Sequence, residues 1–102
     1  MKAVKVQYTV KPEFAKQNGE NINKAMSDLR GIDNADIRYS SFILDDNKSF
    51  VHFAMFKSED GESVLNNLAS FKKFQQELKN SIPEISPKVE KITIIGSSYN
   101  VF

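Results

Sequence analysis

The chain of 102 residues carries 14 Lys and Arg against 13 Asp and Glu, a single histidine and no cysteine. Because the two signs of charge nearly balance and are interspersed, no field favours nucleic acid or an anionic membrane. The absence of cysteine excludes disulfides, a thiolate nucleophile and a sulfur-ligated metal site. The length favours one domain over residues 1–102, and 40% hydrophobic residues allow it to bury a core.

The first predicted element is a strand that begins almost at the N-terminus. From Val4 to Val10 apolar and polar residues alternate, which is the pattern of a strand covered on one face. The alternation leaves no uninterrupted apolar run of the kind that a signal peptide needs. No membrane segment is predicted, and we expect a cytoplasmic protein.

A helix follows the first strand. Pro12 suits a first helical turn, and apolar residues then recur at helical spacing until Gly31 supplies a stop. Two further strands, Ile37–Leu44 and Phe50–Phe56, are rich in β-preferring side chains and are separated by a polar run of hairpin length.

A second helix and a fourth strand complete the pattern. Ser58 can cap a helix whose apolar residues recur at steps of three or four as far as Ile82, either continuous or kinked near Ser70. Two prolines then interrupt the chain before a fourth strand over Val89–Ile95. The order βαββαβ predicts an α+β, ferredoxin-like fold: a four-stranded antiparallel sheet with both helices on one face.

The phase of the third strand decides which side chains the helices cover. We expect Val51, Phe53 and Met55 to face the helices. The uncovered set is then Phe50, His52, Ala54 and Phe56. Such large apolar side chains on an open sheet face predict a homodimer that forms through that face. The opposite phase, with His52 in the helix-facing core, remains open.

The element order and three segments, Ile37-Arg38-Tyr39, Phe50–Phe56 and Leu68–Phe74, resemble the dimeric α/β-barrel superfamily, in particular small antibiotic-biosynthesis-monooxygenase-like domains. The resemblance implies a homodimer whose two sheets pack face to face, with a pocket between each sheet and its helices or loops. It also implies cofactor-independent oxygenation of aromatic substrates in some relatives and haem degradation in others.

The chain departs from these relatives at functional positions. Relatives often carry Glu and then Trp near the end of the third strand, where this chain has Ala54 and Phe56, and it contains no Trp. Haem-degrading relatives use a histidine on the second helix, which has none here. We therefore expect neither haem nor another cofactor, and no metal, since no cluster of residues has metal-ligand spacing.

His52 is the only side chain whose ordinary pKa lies near neutrality, so it is the candidate proton acceptor, with a packed sheet histidine as the structural alternative. The hydroxyl and guanidinium groups of Thr9, Arg38 and Tyr39 are candidate substrate ligands, although Arg38 and Tyr39 must point to opposite faces of their strand. Phe50 and Phe56 are candidate apolar walls of the same site. We expect Tyr8 to belong to the core.

Two functions fit this pattern. The first is a cofactor-independent monooxygenase that acts on a small aromatic or hydrophobic molecule as a homodimer. The second is a ligand-binding or regulatory homodimer without turnover. RNA binding is disfavoured because the first strand offers Lys5 where RNA-recognition modules need a stacking aromatic side chain.

Overall fold

The chain forms one antiparallel sheet covered on one face by helices, in a computed structural model that describes residues 1–102. The elements in chain order are β1 (Lys2–Thr9), a 3-10 turn (Pro12–Phe14), α1 (Ala15–Ile32), β2 (Ile37–Ile43), β3 (Ser49–Phe56), α2 (Glu59–Asn67), α3 (Ala69–Asn80) and β4 (Ile85–Ile92). The strands lie in the order β2-β3-β1-β4. This arrangement confirms the predicted ferredoxin-like fold.

The structure reverses the predicted phase of β3. Val6 pairs directly with His52 across β1 and β3, and directly paired residues share a face of the sheet. The set that faces the helices is Phe50, His52, Ala54 and Phe56, all of them buried. The expectation that this set is uncovered is therefore wrong, and the open alternative with His52 in the helix-facing core is correct.

The physical reason for the reversal lies in β1, whose apolar set must face the helices. Tyr8 on that face is 1% exposed, which confirms that it belongs to the core. The register brings Tyr8 opposite Phe50 and places polar Lys5 opposite Phe53. Large side chains occur on both faces of β3. The face that is buried can therefore be identified only from the register with β1.

The hydrophobic core lies between the helix-facing side of the sheet and the three helices. Its buried side chains are Tyr8, Val10, Ile22, Ile37, Phe50, Ala54, Phe56, Leu65, Phe71, Phe74 and Leu78. Helices α1 and α3 pack against each other over the sheet. No helix combines the length and the apolar character needed to cross a membrane.

Two helix boundaries differ from those predicted. Helix α1 passes through Gly31 and ends at Ile32. The next residue, Asp33, has a left-handed backbone and caps the helix with a bond from its N–H to the carbonyl of Leu29. The second predicted helix is divided at Leu68, where the backbone is extended, so the kink lies two residues before Ser70.

The fourth strand begins at Ile85 and ends at Ile92, not over Val89–Ile95. It includes Pro87, which a strand interior does not normally accept because proline cannot donate a ladder hydrogen bond. Strand β4 is an edge strand, and its register with β1 shifts between Gln7 and Thr9, opposite the proline. The edge position explains why the proline is tolerated.

Candidate functional site

A cleft of about 540 Å³ lies between α3, β1 and the turn that leads into β4. Its floor is formed by the helix-facing side of the sheet. The lining side chains are Val6, Tyr8, Tyr39, His52, Phe71, Phe74, Gln75, Leu78, Lys79, Ile82, Pro83, Ser86, Pro87 and Val89. The cleft is predominantly apolar, with its buried polar groups gathered at the floor, as in small-molecule sites.

Those polar groups form a hydrogen-bonded chain centred on His52. Tyr8 Oη lies 2.7 Å from His52 Nε2, and Tyr39 Oη lies 2.8 Å from Nδ1. Asn18 Nδ2 of α1 donates to Tyr8 Oη at 2.9 Å. The order of the chain is therefore Asn18, Tyr8, His52 and Tyr39, and we refer to it as the His52 network.

Aromatic side chains fix the imidazole ring in place. The ring centroids of Tyr8 and Phe74 each lie 5.4 Å from that of His52, and the Tyr39 ring meets it edge-on at 5.7 Å. Phe71 in turn packs edge-on against Tyr39 at 6.1 Å. With both nitrogens bonded and the ring enclosed, His52 has no freedom to reorient without breaking the network.

Burial keeps every member of the network uncharged at neutral pH. It lowers the pKa of His52 from 6.5 to about 4, because a buried imidazolium would have no opposite charge beside it. Burial also raises the pKa values of Tyr8 and Tyr39 above the ordinary value of 10. The cleft floor is thus lined by neutral donors and acceptors.

The structure brings some of the sequence-predicted site residues together on the helix-facing side of the sheet. Tyr39 joins His52 at the floor of the cleft. Phe50 stacks on Tyr8 at 5.6 Å below the cleft. Phe56 lines a neighbouring cavity of about 110 Å³ that also reaches His52 and Tyr39.

The other two predicted residues lie on the opposite, open face. Thr9 Oγ1 is hydrogen-bonded to Ser49 Oγ at 2.7 Å. Arg38 Nε donates to the carbonyl of Val101 at 2.8 Å, and its guanidinium lies 5.2 Å from the ring of Phe102. Neither Thr9 nor Arg38 reaches the cleft that holds His52.

Sequence reasoning missed Asn18 and the polar role of Tyr8. Asn18 occupies an apolar-stripe position of α1, four residues after Phe14 and four before Ile22, and is 0% exposed. A polar residue at such a position must find a buried hydrogen-bond partner, and this was the available signal. Tyr8 belongs to the core, as expected, but its hydroxyl also belongs to the site.

Neither a second groove nor any cluster of charged side chains provides a comparable candidate site. A groove of about 610 Å³ between α1 and β2 is lined by Arg38 and Tyr39 but does not reach His52. No group of three or more His, Asp or Glu side chains is arranged to hold a metal ion. The His52 network is therefore the candidate functional site.

The fold is shared with several solved structures. A Bacteroides thetaiotaomicron protein described as a "putative antibiotic biosynthesis monooxygenase" has a TM-score of 0.82 at 7% identity, over 97% of this chain and 93% of its own. A Nitrosomonas europaea protein with the same description has a TM-score of 0.76 at 14% identity, over 94% of this chain and 100% of its own.

A further Nitrosomonas europaea structure is described as a protein of unknown function. It has a TM-score of 0.73 at 15% identity, over 97% of this chain and 93% of its own. No protein-family model and no curated protein matches the sequence. At identities of 15% or less, these similarities show a common fold but do not show a common reaction.

Proposed function

We propose that the chain is a cofactor-independent monooxygenase that binds a small aromatic molecule in the cleft above His52. The observation that carries the proposal is the buried Tyr8–His52–Tyr39 chain at the floor of an otherwise apolar cleft. Apolar walls favour a flat hydrophobic ring, and the few polar groups orient one oxygenated edge of it. The descriptions of the structural neighbours support the same class of reaction.

The proposed reaction needs only the substrate and molecular oxygen. A methylene group made acidic by a conjugated carbonyl loses a proton to solvent water before the cleft encloses the substrate, and the substrate binds as the stabilised carbanion. The carbanion donates electrons to oxygen as the new C–O bond forms, and the resulting peroxide takes up a proton. Loss of water then leaves a carbonyl, so that CH₂ and O₂ become C=O and H₂O with the substrate as reductant.

The protein contributes position and a dry environment to this reaction. Tyr39 is the half-buried member of the network, and we propose that its hydroxyl contacts the substrate oxygen on which negative charge develops. Phe71, Phe74 and Leu78 exclude water and hold the ring against the floor.

We assign His52 a role that acts through Tyr39. A direct proton acceptor would need a free ring nitrogen at the cleft, and both nitrogens are bonded to tyrosine hydroxyls. A pKa of about 4 also makes the imidazole a weak base. His52 is therefore proposed as a positioning residue that fixes the Tyr39 hydroxyl.

The test is oxygen uptake and product formation over a panel of anthrone-like and quinol-like compounds. We expect uptake by the unaltered protein and roughly a 100-fold loss in Tyr39→Phe, which keeps the ring and removes one stabilising donor. His52→Ala should lose activity as well. Tyr99→Phe is the matched control, because it removes the same hydroxyl from a residue that does not line the cleft. Unchanged uptake in Tyr39→Phe would contradict the proposal.

The alternative function is a ligand-binding or regulatory homodimer without turnover. The neutral, weakly basic His52 is the specific observation in its favour, because a binding site needs hydrogen-bond partners but no base. Saturable binding of the same compounds without oxygen uptake would select this function over the monooxygenase.

For either function we propose that a second copy of the chain covers the open sheet face. That face carries an apolar patch formed by Phe42, Phe53, Met55 and Ile92, which we call the open-face patch. Phe42 is 53% exposed and its ring meets that of Phe53 edge-on at 6.0 Å. Large exposed apolar patches of this kind are typical of association sites.

A further inference from the structure

The turn that leads from α3 into β4 holds an isoleucine in a backbone conformation that isoleucine rarely adopts. Ile82 has a φ of 55°, in the left-handed region. The other two non-glycine residues with positive φ, Asp33 and Asn47, are of the types whose short polar side chains tolerate that region. A β-branched side chain does not, and Pro83 adds to the strain because proline drives the preceding residue toward extended backbone.

Contacts on either side hold this strained turn in place. The Ser81 hydroxyl donates to the carbonyl of Leu78 at 2.6 Å, which anchors the start of the turn to the end of α3. Beyond the strained residue, the Glu84 carboxylate forms an ion pair of 2.8 Å with Lys48 Nζ. Ile82 lies between these two anchors, so its backbone cannot extend without displacing one of them.

Packing within the free protein does little to offset this strain. The Ile82 side chain is 68% exposed, although it lines the mouth of the cleft whose floor holds His52. Strained backbone conformations cluster at ligand-binding positions, where they hold a side chain against the bound molecule. A large apolar side chain gains free energy when an apolar partner removes it from water. An occupant of the cleft is the partner that the position of Ile82 provides for.

We propose that Ile82 is a specificity-determining residue, which covers the outer end of an apolar ligand and selects ligands long enough to reach the mouth of the cleft. The inference rests on the proposed function in that it takes the cleft as the binding site, and it goes further by naming the residue that selects for ligand size. Two fused rings seated on the floor leave Ile82 in water, whereas three fused rings bring an apolar edge against it.

Substitution by glycine tests the strain without any ligand. Glycine adopts left-handed backbone without steric cost, so Ile82→Gly should raise the melting temperature by roughly 3–6 °C. Ile82→Ala keeps a Cβ in the left-handed region and should change it less. Ile32→Gly is the matched control, because Ile32 is the last residue of helix α1 and glycine there should lower the melting temperature. An unchanged or lower melting temperature in Ile82→Gly would overturn the inference.

Affinity for two probes tests the selection of ligand size. The ketones 1-tetralone and anthrone each carry one carbonyl, on two and three fused rings respectively, and titration under nitrogen prevents turnover. In Ile82→Ala we expect a roughly 3- to 10-fold loss of affinity for anthrone and an unchanged affinity for 1-tetralone. Ile32→Ala should bind both probes as the unaltered protein does. No binding of anthrone, an unchanged affinity for it in Ile82→Ala, or equal losses for the two probes would overturn the inference.

The two proposals fail in different ways. Absence of oxygen uptake, with the stability gain of Ile82→Gly and the selective loss of anthrone in Ile82→Ala both present, would defeat the monooxygenase and leave the role of Ile82 intact. Oxygen uptake with equal losses of affinity for the two probes would do the reverse.

Discussion

His52 is buried among aromatic rings with no carboxylate beside it. This environment makes the free energy of unfolding depend on pH, and that dependence can be measured. The folded chain holds the imidazole neutral down to a pKa of about 4, whereas in the unfolded chain the ordinary value of 6.5 applies. Between these values the unfolded chain binds more protons than the folded chain. Stability must therefore fall as the pH is lowered through this window.

We predict that the free energy of unfolding decreases by about 3 kcal/mol from this residue alone as the pH falls from 6.5 to about 4. Chemical denaturation at a series of pH values measures the slope. His52→Gln keeps hydrogen-bonding capacity but cannot titrate, so its slope should retain only the contribution of the carboxylates. Equal slopes in the two proteins would show that His52 titrates normally.

At the scale of elements, two of the helical glycines, Gly19 and Gly61, have opposite surroundings. A Cβ on Gly19 would meet nothing within 4 Å. A Cβ on Gly61 would lie 3.1 Å from the carbonyl oxygen of Asp36 and 3.2 Å from Cγ1 of Ile37. That carbonyl already accepts from the Lys57 N–H, so α2 packs too closely on this segment to admit a side chain easily.

Gly19→Ala should therefore stabilise the protein by about 0.5–1 kcal/mol, because alanine loses less backbone entropy in a helix. Gly61→Ala should gain less than this or lose stability, since the contact with Asp36 opposes the same helical gain. Thermal or denaturant unfolding measures the stability of each variant relative to the unaltered protein. A Gly61→Ala protein at least as stable as Gly19→Ala would contradict the close packing of α2.

The elements also show what the sequence could and could not predict. The order of strands and helices followed from periodicity, since one face of each element is buried. The phase of β3 could not be predicted from periodicity. Phe50 and Phe53 lie on opposite faces of the strand, both faces are similarly hydrophobic, and only the pairing with β1 shows which face is buried. The start of β4 was missed because Pro87 argues against a strand until the edge position is known.

The same limit applies to the candidate site. His52 and Tyr39 were identified from their residue types alone, as the sole histidine and a strand tyrosine. Their partners Tyr8 and Asn18 lie 44 and 34 residues from His52 along the chain, so their convergence depends on the tertiary fold. Thr9 and Arg38 were proposed for the same site, but the alternation of their strands directs them to the open face.

At the scale of the whole molecule, the open sheet face is the surface through which we propose that the chain associates. The open-face patch combines exposed Phe42 and Phe53 with the polar side chains of β1. The tail reaches the edge of this face, where Val101 and Phe102 contact Arg38 of their own chain. We expect this surface, tail included, to be buried between two copies.

Phe53→Lys should convert the proposed dimer to a monomer, because it places a charge at the centre of the interface. Ile32→Lys is the matched control, since Ile32 is 45% exposed at the end of α1, away from the open face. Sedimentation velocity over a range of concentrations measures both variants. A monomeric unaltered protein, or a Phe53→Lys dimer of unchanged affinity, would refute association through this face.

The claim on which both functions depend is that the cleft above His52 is the binding site, and ligand mapping by two-dimensional NMR tests it most directly. Titration with 1-tetralone should produce saturable shifts at the His52 ring and at cleft residues such as Leu78 and Val89. Shifts confined to Phe42, Phe53 and the tail, with the His52 signals unmoved, would place the ligand on the opposite face of the sheet and contradict the account.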